Sequence, residues 1–286
     1  MNNFTYHDAQ KMIQAITVLL NESGAFMDKN KNKYLLHSQA KKEVTAFKNS
    51  ESVETAFSQG NILIEFTGDH LDALTKLLSE PVNSIATWTC TRTILESSAI
   101  SSWLLDPKID VIERVERSFA FRYEGLNQQL KFNNSQNLQD YKSSIEKRID
   151  EVENKALSLG YSTIYNKKKK RIGIGQQMPS ITHLVGSILG DEASYRLLSS
   201  LTHAHPWALQ QTSFRVQSKN NHPYLERNLD INSVVYLCTI GIKSFSRSIW
   251  YVTLLFGWDE KKMKQLLQTV FDVIKIPNEE RIWNSI

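Results

Sequence analysis

The sequence predicts an all-α protein, an antiparallel helical bundle with additional N- and C-terminal helices, and three observations carry that expectation. Eleven glycines and six prolines punctuate 286 residues, far fewer turn formers than an all-β chain needs. Apolar residues recur at helical spacing through most of the length. No strand–turn–helix context surrounds the glycines, and no Gly-x-x-x-x-Gly-Lys-Ser is present, so dinucleotide and P-loop folds are excluded.

In chain order, Met12, Ile13, Ile16, Leu19 and Leu20 make a first helix over Tyr6 to Leu20, with Asn21 to Gly24 as its stop signal. The polar stretch Asp28 to Lys33 reads as a loop. Val44, Phe47, Val53 and Phe57 continue the helical pattern up to Gly60, and Ile62 to Phe66 fits either an extended or a helical segment. Leu71, Leu74, Leu77 and Leu78 form an apolar face ahead of Pro81, which breaks or restarts the path. The next helix, Val82 to Leu105, stops at Asp106-Pro107 because the residue before a proline avoids the α region.

Asp110 caps a long helix holding Val115, Phe119, Arg122, Leu126 and Leu130, and Asn133 to Asn137 is a turn. Asp140 to Leu159 is a charged helix with few large apolar residues, closed by Gly160. Tyr161 to Ser180 reads as a loop containing Lys167–Arg171 and Gly173-Ile-Gly175. Short helices follow at Ile181 to Leu189 and Glu192 to Thr202, Pro206 interrupts or restarts them, and Lys219 to Pro223 is an exposed loop. Asp230 to Leu255 is a long buried helix, and Asp259 to Ile274 an amphipathic one. The whole chain, 1–286, fits one domain, with an N-terminal helical subdomain 1–66 ahead of a main bundle 67–286.

Cys90 and Cys238 sit among apolar helical residues and read as buried free thiols. The N-terminus lacks the basic region of a signal peptide, and Lys243 and Arg247 interrupt the most apolar stretch, Val234 to Phe256. A soluble, cytoplasmic protein without a membrane span is therefore expected. Net charge is +4, but Tyr141 to Arg171 holds nine Lys or Arg against four Asp or Glu. This local surplus suits a polyanion better than the total does.

The stretch Tyr195 to Trp207 carries the most chemistry. Arg196 and His203 lie seven residues apart and return to nearly one helix face, with Ser199 and Ser200 between them. An arginine offers a planar charged fork to a phosphate. A histidine moves a proton at a 2′-oxygen or a leaving 5′-oxygen. His203 precedes Pro206 near a helix C-terminus, where the macrodipole favours a positive group. His205 and Trp207 border the same site, and Lys167, Lys168, Lys169, Lys170 and Arg171 form a cationic loop able to hold a phosphate backbone, with Tyr161 and Tyr165 near it to stack bases.

The Arg196-x6-His203 arrangement resembles the Arg-x4–6-His signature of the HEPN-domain ribonucleases, a helical-bundle family common in toxin and phage-defence systems. Leu197 stands where that family often has Asn, Asp or His. The resemblance implies metal-independent RNA cleavage without a cofactor, with Arg196 binding the scissile phosphate, His203 transferring the proton and Glu96 as the supporting acid. It implies a homodimer whose two motifs face one cleft, and a protein partner in a defence or toxin–antitoxin system. The segments Arg92-x3-Glu96, Trp103–Pro107 and Tyr195–His203 are also similar to uncharacterised all-helical bacterial proteins.

Other readings compete. A non-catalytic helical module could use the basic loop and the groove near Trp207 to hold RNA, a nucleotide or a protein, or a bundle cavity could sense a small molecule. In a structural reading, Arg196 pairs with Glu96 or Asp191 as a buried tie and His203 is hydrogen-bonded in the core. A zinc site from His183, Asp191, His203 and His205 requires the chain to bend at Pro206. The Glu-x-x-His pairs of di-iron bundles are absent.

Overall fold

A computed structural model describes residues 4–31, 33–79, 82–136, 139–219, 222–227 and 229–275. Among them lie eleven α-helices: α1 Tyr6–Asn30, α2 Gln39–Ala46, α3 Ser50–Leu78, α4 Ala86–Leu104, α5 Val111–Ser135, α6 Gln139–Ser158, α7 Ile181–Leu184, α8 Glu192–Thr202, α9 Pro206–Thr212, α10 Ile231–Phe256 and α11 Glu260–Val273. Four short strands, β1 Thr163–Tyr165, β2 Arg171–Ile174, β3 Phe214–Lys219 and β4 His222–Arg227, make two separate antiparallel hairpins. The protein is an all-α helical bundle, as the sequence predicts.

Helix starts follow local chemistry. Thr5 and Asp8 form a reciprocal capping box on α1. Ser38, Asn49, Asp110, Asp230 and Asp259 each accept a first-turn N–H at the head of α2, α3, α5, α10 and α11. Gly257, in the left-handed region at φ 71°, ends α10.

At the centre is α4, packed against α3 on one side and α10 on another. Small residues allow this. Ser97, Ser98, Ser101 and Ser102 of α4 are all buried, and the hydroxyls of Ser97, Ser101 and Ser102 make hydrogen bonds while that of Ser98 makes none. Thr67 donates to Ser97 at 2.8 Å, Ser101 donates to the Gly60 carbonyl at 3.0 Å, and Ser102 and Ser248 share a hydrogen at 3.2 Å. Because α4 is enclosed, apolar residues lie on both its sides and form two clusters. The larger joins α1, α3, α5, α6, α10 and α11, and the smaller holds Trp88, Leu95, Trp103, Leu184, Tyr195, Leu198 and Leu201. The smaller core fixes α7 and α8 against α4.

Several boundaries differ from the sequence expectation. The first helix does not stop at Asn21–Gly24 but runs to Asn30, so Asp28, Lys29 and Asn30 of the expected Asp28–Lys33 loop are helical. Ile62 to Phe66 belongs to α3, which passes unbroken through Gly60 and across the 66/67 boundary. The helix expected from Val82 begins at Ala86. Tyr161–Ser180 is not simply a loop, since β1 and β2 pair within it, and Lys219, His222 and Pro223, expected in an exposed loop, belong to the paired strands β3 and β4. The turn expected at Asn133–Asn137 is mostly helical, since α5 continues to Ser135; Asn137, and Pro81 where a break is expected, lie outside the described residues. Cys90 and Cys238 are free thiols, with burial raising them to about 11 and about 12. No described helix is long and apolar enough to cross a membrane.

The two mid-helix glycines that mimic stop signals have opposite roles. A Cβ on Gly60 would lie 2.4 Å from Leu105 Cγ, whereas nothing lies within 4 Å of a Cβ on Gly24. Gly24→Ala is expected to stabilise by about 1 kcal/mol through helix propensity. Gly60→Ala is expected to lose about 1–2 kcal/mol net, because overpacking against fully buried Leu105 outweighs that gain. Chemical denaturation of the two variants checks the opposite signs.

Candidate functional site

Helix α8 lies across α4 with a buried and an open side. Ser194, Tyr195, Leu198 and Leu201 are buried, and their spacing is that of one helix face. Arg196 falls on the open side, as does His203, the residue that caps the C-terminus of α8. Ser199 and Ser200 are half-buried between them. One stripe of α8 therefore carries Arg196 and His203 in the open, about 10 Å apart along the axis at 1.5 Å per residue.

Arg196 is anchored by Glu192, one turn towards the N-terminus. Its Nε and Nη2 donate to the same oxygen, Glu192 Oε1, at 2.8 and 2.7 Å. The Arg196 side chain is 67% exposed and that of Glu192 49%. Glu192 in turn rests against the π-helical turn Val185–Leu189, where a Cβ on Gly186 would come within 3.2 Å of its Oε2. The buried tie between Arg196 and Glu96 or Asp191 is therefore corrected: the partner is Glu192 and the pair is exposed. His203 is likewise exposed and not set in the core.

Glu96 is on α4, the helix against which α8 packs. Its Oε1 accepts from Arg92 Nε at 2.8 Å. The Arg92 guanidinium lies 5.7 Å from the centroid of the Tyr195 ring. Burial first, and then the Glu96 charge, raise the Tyr195 phenol above its ordinary range, which keeps it a hydrogen-bond donor at neutral pH. Glu96 thus enters the site through Arg92 and Tyr195, the residue just before Arg196. Tyr195 and Glu192 were missed as site residues in the sequence, although the i, i+4 spacings Glu192–Arg196 and Arg92–Glu96 are both legible there.

The turn after α8 brings two imidazoles together. Ala204 adopts φ 54°. Its N–H donates to the Leu201 carbonyl at 2.9 Å, and His205 N–H donates to Ser200 at 2.9 Å. This is a Schellman closure with alanine where glycine is usual. It bends the chain one residue before His205, and Pro206 then starts α9. The rings of His203 and His205 come within 6.1 Å, centroid to centroid. Trp207, 49% exposed, follows in the first turn of α9. The bend needed for a shared metal exists, yet among the described residues no group of three or more His, Cys, Asp and Glu is arranged to hold one. Ala204→Gly should stabilise by about 0.5–1 kcal/mol, read from thermal melting, because glycine occupies the left-handed region without the Cβ penalty.

The cationic segment is elsewhere and is ordered differently from a free loop. Asn166 Oδ1 accepts from the N–H groups of Lys168 and Lys170 at 2.9 and 3.0 Å, and Lys169 takes φ 56° to close the β1–β2 turn. Lys167, Lys168, Lys169 and Lys170 are exposed. Arg171 is held in β2 by Glu153 Oε2 at 2.7 Å and Asp150 Oδ1 at 3.3 Å, so its charge is largely offset. Tyr165 is exposed beside the turn, while Tyr161 packs on Phe119 with its hydroxyl donating to the Ile112 carbonyl. The hairpin packs on α5 and α6, whereas α8 packs on α4.

A family model, described as a family of unknown function (DUF5677), matches residues 69–222, more than half of the chain. The chain belongs to that family. The matched region holds α4 to α9 and both features above, the α8–α9 face and the lysine turn, while α1, α2, α10 and α11 lie outside it. No curated protein and no solved structure matches the chain.

Proposed function

We propose that the protein is a metal-independent RNA endonuclease of HEPN type, working as a homodimer in which two copies of the α8–α9 face meet around the substrate. The observation that carries this reading is the open stripe of Arg196 and His203 on α8, with His205 and Trp207 beside it. Arg196 is charged and reachable. Its pairing with Glu192 is an exposed i, i+4 contact, worth about 0.3–0.5 kcal/mol, so a bidentate phosphate displaces it readily. His203 then transfers the proton as the 2′-hydroxyl attacks the adjacent phosphorus and the bond to the 5′-oxygen breaks. The products are a 2′,3′-cyclic phosphate and a 5′-hydroxyl. Trp207 offers a face for a base, and Glu96 steadies α8 through Arg92 and Tyr195. From the resemblance of Arg196-x6-His203 to the HEPN signature we place the enzyme in a toxin or phage-defence setting with a protein partner, and from its free thiols in the cytoplasm.

A second reading, a non-catalytic nucleic-acid-binding module, is favoured by the four exposed lysines presented on a hairpin away from α8. Comparing His203→Ala with a variant carrying alanine at Lys167–Lys170 separates the two. In the enzyme reading the first loses cleavage and retains RNA binding. In the binding reading only the lysine variant changes anything, lowering affinity and its salt dependence.

A further inference from the structure

A cleft of about 560 Å³ opens at the far end of α10, outside the family-matched region. Its inner wall is aromatic: Phe57 of α3, Phe256 of α10, Trp258, and half-buried Tyr34, whose rings meet edge to face at 5.0–5.6 Å. The wall is rigid. Trp258 Nε1 donates to the Lys33 carbonyl at 2.9 Å, and Leu35 N–H donates to the Phe256 carbonyl at 3.2 Å, strapping the α1–α2 connection over the end of α10. Between wall and rim sits Asn61, whose Oδ1 is buried and accepts no hydrogen bond within the protein. Among the described residues the rim carries Asp28, Glu54 and Glu65 against one cation, Lys31, which sits 3.9 Å from Glu65.

These features select one kind of occupant. A volume of this size fits a small organic molecule, and aromatic walls favour an apolar body. Three carboxylates against one lysine favour a cation. The unpartnered Asn61 oxygen calls for a hydrogen-bond donor, which a primary ammonium has and a quaternary one lacks. We infer that this cleft is a binding site for a small organic primary ammonium with an apolar or aromatic body. The site shares no residue with the α8–α9 face and stands whether or not that face cleaves RNA.

Calorimetric titration of the full chain with 2-phenylethylammonium, 3-phenylpropionate and 2-phenylethanol tests it. The ammonium is expected to bind at least tenfold more tightly than either analogue. The double variant Glu54→Gln, Glu65→Gln should lose at least tenfold while melting at the wild-type temperature. Asn61→Leu, which replaces the acceptor by an apolar group, should also weaken the ammonium and not 3-phenylpropionate, which has no hydrogen to donate. Equal affinity for the three probes, no detectable binding of the ammonium at millimolar concentration, or full affinity in the folded double variant would each overturn the inference.

Discussion

Glu43→Ala should cost about 3–5 kcal/mol of stability. The reason is Arg114, which is fully buried with no exposed side-chain surface. Its Nε and Nη2 donate to the two Glu43 oxygens at 2.7 and 3.1 Å, and its remaining donors reach the carbonyls of Leu104, Asp106 and Ile109. Gln39 closes the set by donating to Glu43 and to Ile109 at 2.8 Å. The network ties α2 to the head of α5 and to the turn between α4 and α5. Without Glu43 a guanidinium remains in an apolar site, its five donors under-partnered and its charge uncompensated. Typical domains have only about 5–15 kcal/mol in total, so the variant should unfold at much lower urea concentration. Replacing both residues by apolar ones of similar volume should cost less than Glu43→Ala alone. A loss below about 1 kcal/mol for Glu43→Ala would mean that water reaches Arg114.

The second large effect concerns activity and leaves stability alone. His203→Ala and Arg196→Ala should each lower RNA cleavage by roughly 10²–10⁴-fold, the range for removing a positioned proton-transfer group or a charge at the reacting phosphate. Both side chains are exposed, so neither variant should shift the unfolding free energy by more than about 0.5 kcal/mol. Combining a large kinetic loss with an unchanged melt distinguishes a reacting group from a structural one. Glu192→Gln is the informative companion: it releases Arg196 from its tether, so cleavage should be retained or rise. Loss of cleavage on releasing Arg196 would argue that Glu192 holds the guanidinium where the reaction needs it.

Much of the fold was legible in the sequence because its signals are local. Asp110, Asp230 and Asp259 cap where their residue type suggests, and the 3.6-residue pattern of α8 correctly turns Leu198 and Leu201 inward. Two misread boundaries share one cause. Gly24 and Gly60 look like stops, but tertiary contacts extend both helices through them, and Gly60 is small because Leu105 needs the space. The β1–β2 hairpin was hidden because its left-handed residue is Lys169 and not glycine or asparagine. In the site, the stripe of Arg196 and His203 and both i, i+4 ion pairs follow from spacing alone. The stacking of Arg92 on Tyr195 depends on how α8 is laid across α4, and the approach of His203 to His205 depends on a strained alanine that no propensity favours.

The most direct test of the ribonuclease assignment is incubation of the wild-type chain with labelled RNA in EDTA, followed by analysis of the product ends. Cleavage without divalent ions is expected, leaving 2′,3′-cyclic phosphate and 5′-hydroxyl termini, and none by a His203→Ala variant of equal thermal stability. Cleavage that requires a divalent ion, or that persists in His203→Ala, would contradict that assignment, as would binding of the RNA without any cleavage.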